Sequence, residues 1–372
     1  MFPHDANSGN ISMMTFIRYD PSLERPLDDE EALMEELETI MVDLTRLVRN
    51  KHGHAFHGTH AKLTGLLTGI LEVLPDLPAE LAQGMFAHPR RYDAVVRLAP
   101  GAPEPLTDKA SGQRGLSIKV MEVEGERLQG FGESASQDWV LGLDPAFTAA
   151  TARDFLQTFR YTGAKSPHLP ESAILALSRA ARGVEAALEA VGTEAPNLKF
   201  FGRPPAHPFA ESFYTQAAVR FGDYVAKLAA IPSVDTLAAV ANGAPLGSTR
   251  DAFREAACEF VANRPVVYDI KVQLCTDIQT MPIEDASTVW SEADSPYRTV
   301  ARLALPSQKA WTPERATYDD RLAYNPAHAL VAHQPLGSIM RARMRAYRAT
   351  EQFRISANGI AGAEPLRATE IP

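Results

Sequence analysis

The chain has 372 residues, 45% of them hydrophobic, enough to bury a large core as one big domain or two ordinary ones. Charged residues make up 22%, which excludes wholesale disorder, and the formal net charge of -9 excludes global steering toward nucleic acid. Any basic patch therefore has to be local. No run approaches the length of apolar chain that a membrane span needs, and the N-terminus MFPHDANSGN lacks the basic-then-apolar order of a secretory signal. The two cysteines, Cys258 and Cys275, lack metal-ligand spacing and form no disulfide framework, so a soluble, cytoplasmic protein is expected.

The first thirty residues are polar and proline-bearing and read as an extended arm. From Asp29, DEEALMEELETIMVDLTRLVRN places apolar residues at helical spacing behind an acidic first turn, which predicts an amphipathic helix. A histidine-rich segment, KHGHAFHGTHAK, and then LTGLLTGILEVL follow it. From Tyr92 the pattern turns strand-like in YDAVVRLA, RGLSIKVMEVEG and QDWVLGL, with Gly, Pro and Asp punctuation between them. Two helical stretches come next, TAATARDFLQTFR and ESAILALSRAARGVEAALEAVG. Strand signals return in FYTQAAVRFGDYVAKLAAI, RPVVYDIKVQLCTDI and YRTVARLAL, with helical VDTLAAVANG and RDAFREAACEFVANR among them. The last regular element is MRARMRAYRATEQFR, preceded by NPAHALVAHQPLG. Strands in two groups, with helices inserted and appended rather than alternating, indicate an α+β protein with an antiparallel sheet.

Two segments could carry chemistry. His52, His54, His57 and His60 fall within nine positions, but no carboxylate or cysteine between Lys51 and Leu71 joins them until Glu72. One of these histidines acting as an acid–base fits better than a multi-histidine metal site, because free imidazole titrates near neutrality. The arginine-rich segment holds five arginines in fifteen residues. On a helix, Arg343, Tyr347 and Arg354 fall within about 40° of one another, while Arg341, Arg345 and Arg348 point elsewhere. Tyr347 is then either an ordinary core tyrosine with a solvated arginine rim or the centre of the helix. A phenolate binds ferric iron well, a guanidinium one turn away favours that anion, and arginines pair bidentately with the propionates of a haem.

Arg343-x-x-x-Tyr347 followed by Arg354 resembles the proximal helix of haem catalases, and NPAHALVAHQPLGSIMRARMRAYRATEQFR is similar to the short, single-domain catalase-related haem proteins. FYTQAAVRFGDYVAKLA and YDIKVQLCTDIQTMPIEDASTVW carry the same resemblance, which runs from about Phe56 to Arg354. It implies a catalase-like antiparallel eight-stranded β-barrel with inserted and C-terminal helices, with haem b between the barrel interior and the Tyr347 helix. The implied layout is an arm and helix over 1–50, a barrel haem domain over 51–335, and the ligand helix and tail over 336–372. Tyr347 would be the axial iron ligand. THAK matches the family's distal-histidine motif, which makes His60 the general acid–base with Thr59 beside it. Arg97, Arg343 and Arg354 would surround the haem, His57 stands where another propionate-binding arginine is usual, and Phe155 falls near a ring that packs on the haem.

Two departures bear on activity. Leu143 replaces an asparagine and Ala99 replaces a serine of the family's distal pocket. The resemblance therefore implies a peroxide-using haem oxidoreductase that oxidises a small organic or lipid co-substrate, with weak or no true catalase activity. Thr59 resembles the allene oxide synthase branch, so isomerisation or dehydration of a fatty-acid hydroperoxide is an alternative, and a non-catalytic haem-binding protein is another. No nucleic-acid partner and no membrane span are expected, and the N-terminal arm suits contacts in a homo-oligomer.

Overall fold

The computed structural model describes residues 15–110, 112–131, 134–161, 168–190 and 204–372; residues 1–14 of the expected arm lie outside the described residues. Its sheet is built from β1 (Gly65–Val73), β2 (Arg91–Pro100), β3 (Arg114–Val120), β4 (Gln137–Gly142), β5 (Phe213–Tyr214), β6 (Val219–Phe221), β7 (Tyr224–Pro232), β8 (Val266–Leu274) and β9 (Arg298–Leu305). The neighbours run β5-β4-β3-β2-β1-β9-β8-β7-β6, and β5 also pairs with β7. That pairing closes eight antiparallel strands into a ring, with β6 as a flanking hairpin arm. Closure removes the exposed edges that an open sheet would present.

Strand alternation sorts the side chains. Along β3, Leu116, Ile118 and Val120 join the main apolar cluster with Val96 and Leu98 of β2, each at most 3% exposed. Burying each such side chain contributes roughly 1.5–3 kcal/mol, so this interior is the main stabilising mass. Gly115, Ser117 and Lys119 take the opposite parity and face outward, toward the helices. Lys119 is nonetheless fully buried there, held by Ser136 and Asp138 of the next strand's approach and by Glu364 near the C-terminus.

The helices are α1 (Glu30–His52), α2 (Ala152–Tyr161), α3 (Glu171–Ala190), α4 (Val234–Ala241), α5 (Ala252–Asn263), α6 (Pro313–Asp319) and α7 (Ser338–Asn358). Helix α1 forms for the reasons its sequence displays. Glu30 and Glu31 open its first turn, Arg49, Lys51 and His52 close the last, and Gly53 ends it at φ 72. Its buried stripe of Met34, Leu37 and Met41 meets Ala342 and Ala346 of α7 and Leu156 of α2. Helix α6 was not anticipated; a Thr312 cap and Pro313 at its start sustain only seven residues. The remainder of the arm runs along the barrel, where Ile17 donates to the Cys275 carbonyl and Tyr19 to that of Asp223.

Candidate functional site

A crevice of about 360 Å³, including its open mouth, lies between the outer wall of the barrel and α7. The wall is Arg97 and Ala99 of β2, Gly115 and Ser117 of β3, and Val140 of β4. Residues 57–60 cover one side, and Tyr324 and Tyr347 the other. This corrects one expectation, because all the strand residues that line it except Leu141 have the parity opposite to the interior cluster. The site therefore sits outside the barrel rather than against its interior.

His60 is held in an unusual backbone state, φ 58, which a non-glycine residue adopts only when its surroundings require it. Two residues on, buried Lys62 binds Asp108 at 2.7 Å, Asp251 at 2.9 Å and the Arg250 carbonyl at 2.7 Å, fixing the segment to two loops. The imidazole Nδ1 lies 3.3 Å from the Ala99 carbonyl, which makes Nδ1 the donor and leaves Nε2 with the lone pair. Burial pushes the His60 pKa down to about 4, helped by Arg97 and Arg343 and opposed by the Ala99 carbonyl. The ring is thus neutral at pH 7 and can accept a proton. A β-carbon at Gly115 would stand 2.6 Å from its Cε1, so only glycine leaves the ring room. At position 99 the backbone carbonyl orients the histidine without any side-chain hydroxyl. Leu143 is 4% exposed within the main core and offers the crevice no amide.

On the opposite side, Arg343 stacks its guanidinium 5.8 Å from the Tyr347 ring centroid. It donates to the Val140 carbonyl at 2.9 Å and to that of Thr215 at 3.4 Å, and no carboxylate among the described residues pairs with it. The other arginines of α7 behave differently. Arg341 binds Glu24, Glu30 and Glu284, Arg345 binds Glu31 and Glu38, and Arg348 meets the Gly130 carbonyl. Two of the arginines of the basic stretch, Arg341 and Arg345, are thus matched by the chain's own acids.

One end of the crevice collects anion-binding groups. Arg97, 4% exposed, donates Nε to Asp319 at 2.8 Å, but its buried Nη2 has no partner among the described residues. Arg354, 1% exposed, donates to the carbonyls of Asp320 and Leu322 and leaves Nε without a partner among the described residues. It stands behind His57 rather than in the lining. A buried unpaired donor costs about 1–3 kcal/mol, so two guanidinium groups with spare N–H bonds fit a carboxylate-bearing ligand. Haem, with two propionates and an iron that accepts a phenolate, suits this donor set.

Of the residues singled out from sequence, His57, Thr59, His60, Arg97 and Tyr347 share the crevice, and Arg343 and Arg354 lie against it. Phe155 is not in the lining; its ring packs between Phe147 at 5.4 Å and Phe159 at 5.3 Å. His52 and His54 pair separately with Glu104 and Asp320, and among the described residues no cluster could hold a bare metal ion. Sequence reasoning missed Gly115, Ser117, Tyr324 and Asp319. Strand parity could have found the first two, because Ser117 stands opposite Arg97 in the register. Nothing local marks Asp319.

A closed eight-stranded antiparallel barrel with inserted and C-terminal helices is the catalase-like fold. Solved structures with this arrangement include a bacterial catalase, 17% identical with a TM-score of 0.56 over 94% of this chain and 65% of its own. Catalase A from Saccharomyces cerevisiae is 16% identical, with a TM-score of 0.57 over 92% of this chain and 70% of its own. A fungal catalase gives a TM-score of 0.55 at 16% identity, over 92% of this chain and 66% of its own. This chain thus spans about two thirds of their length. No family model and no curated protein matches the sequence.

Proposed function

We propose that the crevice binds haem b with Tyr347 as axial ligand, and that the protein is a peroxide-using oxidoreductase acting on a small organic or lipid co-substrate. The observation that carries this reading is the convergence of a neutral, oriented His60, the Arg343–Tyr347 pair and a buried Arg97 whose Nη2 has no partner among the described residues at one crevice, with Arg354 behind His57. When bound, the haem supplies the redox centre at which a peroxide O–O bond is cleaved. Tyr347 would hold its iron through the phenol oxygen, with the Arg343 guanidinium against the ring, and Arg97 and Arg354 would take its propionates. His60 Nε2 would accept the proton of the incoming hydroperoxide and return it to the departing oxygen, in keeping with the tautomer that the Ala99 carbonyl imposes. Leu143 lies in the core and Ala99 in the wall, so neither position supplies the amide or the hydroxyl of the family's asparagine and serine. That supports oxidation of a second substrate over rapid disproportionation of hydrogen peroxide.

Thr59 in the lining directly beside His60 favours a second reading, isomerisation or dehydration of an organic hydroperoxide. One experiment separates the two. The haem-loaded protein is mixed with hydrogen peroxide or a lipid hydroperoxide, with and without a reducing dye. Dye oxidation supports the peroxidase; rearranged lipid without dye turnover supports the isomerase. Protein that acquires no Soret band with haem overturns both.

A further inference from the structure

The carboxylate-binding end of the crevice has too few fixed cations for its expected ligand. Three charged groups face His57 there, Arg97 from β2, Arg354 from α7 and Asp319 at the end of α6, while Glu351 and Asp320 act on Arg354 from its other sides. Asp319 is 4% exposed, lies 2.8 Å from Arg97, and is held well below the usual carboxylate range by Arg97 and His57 against the cost of burial. Asp320 beside it is paired with His54 at 3.1 Å, and the Tyr324 phenol is kept neutral by burial. Around His57 itself, two guanidinium groups less one carboxylate leave at most a single positive charge, and Glu351 and Asp320 draw further on that of Arg354. A ligand with two carboxylates would bring the buried total to one uncompensated negative charge, which is costly away from water.

His57 is the group positioned to correct that balance. Its Nε2 donates to the Asp319 backbone carbonyl at 3.1 Å and lies 3.5 Å from Asp319 Oδ2. That bond fixes the tautomer, so Nδ1 carries a lone pair, and no partner for it stands among the described residues. A lone pair cannot face a ligand carboxylate without repulsion. Protonated, the same atom becomes a donor and the imidazolium lies between two anions. Without a ligand, burial with Arg354 and Arg97 pushes His57 down to about 3, so it starts neutral.

Resting on the reading of this crevice as a porphyrin site, we propose that binding the dicarboxylate porphyrin takes up a proton from solvent onto His57, coupling loading of the site to pH. A ligand carboxylate raises the pKa of His57 in the bound state. By linkage, affinity is highest on the acid side and falls as pH rises toward the bound-state pKa, by up to about tenfold per pH unit, and levels off above it.

The test uses metal-free protoporphyrin IX, which makes no axial bond and so separates this proton from any that Tyr347 releases. Binding to the full chain is followed by fluorescence, and proton uptake by calorimetry in buffers of different ionisation enthalpy. We expect uptake at neutral pH that approaches about one proton per porphyrin as pH falls, with none for the dimethyl ester of the same porphyrin. His57→Arg supplies a permanent cation and should abolish both the uptake and the pH dependence of affinity. Asp319→Asn removes the buried anion and should reduce the uptake in the same way, which keeps the test open if the arginine variant fails to fold. Porphyrin binding without proton uptake, or equal uptake by the dimethyl ester, overturns this inference alone. No binding of any porphyrin or haem at any pH overturns the proposed function with it.

Discussion

Replacing Gly115 by alanine tests the placement of His60 without touching any titratable group. The new β-carbon would stand 2.6 Å from His60 Cε1, 2.9 Å from Nδ1 and 3.2 Å from Nε2. Ordinary contact begins near 3.4 Å, so the ring has to retreat by roughly 0.8 Å, and it cannot do so while Nδ1 keeps its bond to Ala99. Gly115 pairs with Ala99 itself in the β2–β3 register, so strand and histidine are fixed to the same point. A displacement approaching 1 Å at a reacting group costs on the order of 100-fold in rate, and we expect peroxide cleavage to slow about 10- to 100-fold. The overpacking should cost about 1–3 kcal/mol of stability. Stopped-flow spectroscopy on the haem-loaded variant measures the rate, and Soret absorbance per protein shows whether loading is unchanged. Gly112→Ala, with nothing within 4 Å of its β-carbon, is the control. A Gly115→Ala protein that loads fully and cleaves peroxide at the wild-type rate refutes the assignment of His60 as the acid–base.

Tyr347→Phe should lose haem or bind it loosely, with a shifted visible spectrum; unchanged haem content and spectrum would make the axial assignment wrong. Lys119→Met leaves Asp138 buried without its cation, and a loss of about 3–5 kcal/mol in chemical denaturation is expected; a loss under 1 kcal/mol would mean that Ser136 and His328 suffice for that carboxylate. Glu30, bonded to Arg341 and to the Leu27 amide, has its pKa lowered, by those bonds against the cost of burial. A depressed carboxylate stabilises the fold above its unfolded pKa, near 4.5, and that contribution is lost as pH falls through the lower folded value. Glu30→Gln should therefore be less stable than wild type at neutral pH, with the gap closing in acid; a gap constant across pH would refute this account.

How far the sequence reveals this site depends on which contacts are local. The helix α1, the three strands after Tyr92 and the arginine helix were legible because one period runs through each. The Arg343–Tyr347–Arg354 face was legible for the same reason, being a matter of turns along one helix. The barrel's inside and outside were not. Alternation gives two faces of a strand such as RGLSIKV but does not say which one the helices cover, and Lys119, buried on the outer face, disguises the pattern. Asp319 escaped notice because its partners, Arg97 and His57, lie more than two hundred positions away in the chain. Its meaning exists only once the barrel closes and α6 is laid beside residue 57.

The charge pattern of α7 has a physical explanation that joins fold to chemistry. A helix offering an uncompensated guanidinium to a tyrosine must still be anchored, and anchoring by apolar contact alone leaves it free to slide along its neighbour. Here the opposite face is tied by charge. Arg341 reaches Glu24, Glu30 and Glu284, and Arg345 reaches Glu31 and Glu38, so the arm, α1 and the loop before β9 all grip α7. A single pair fixes little alone, whereas a network on one guanidinium fixes direction and register. The acids of DEEALMEELE and the arginines of MRARMR are therefore complementary halves of one device. It sets the rotation of α7, and with it the side of the helix on which Arg343 and Tyr347 meet His60 across the crevice.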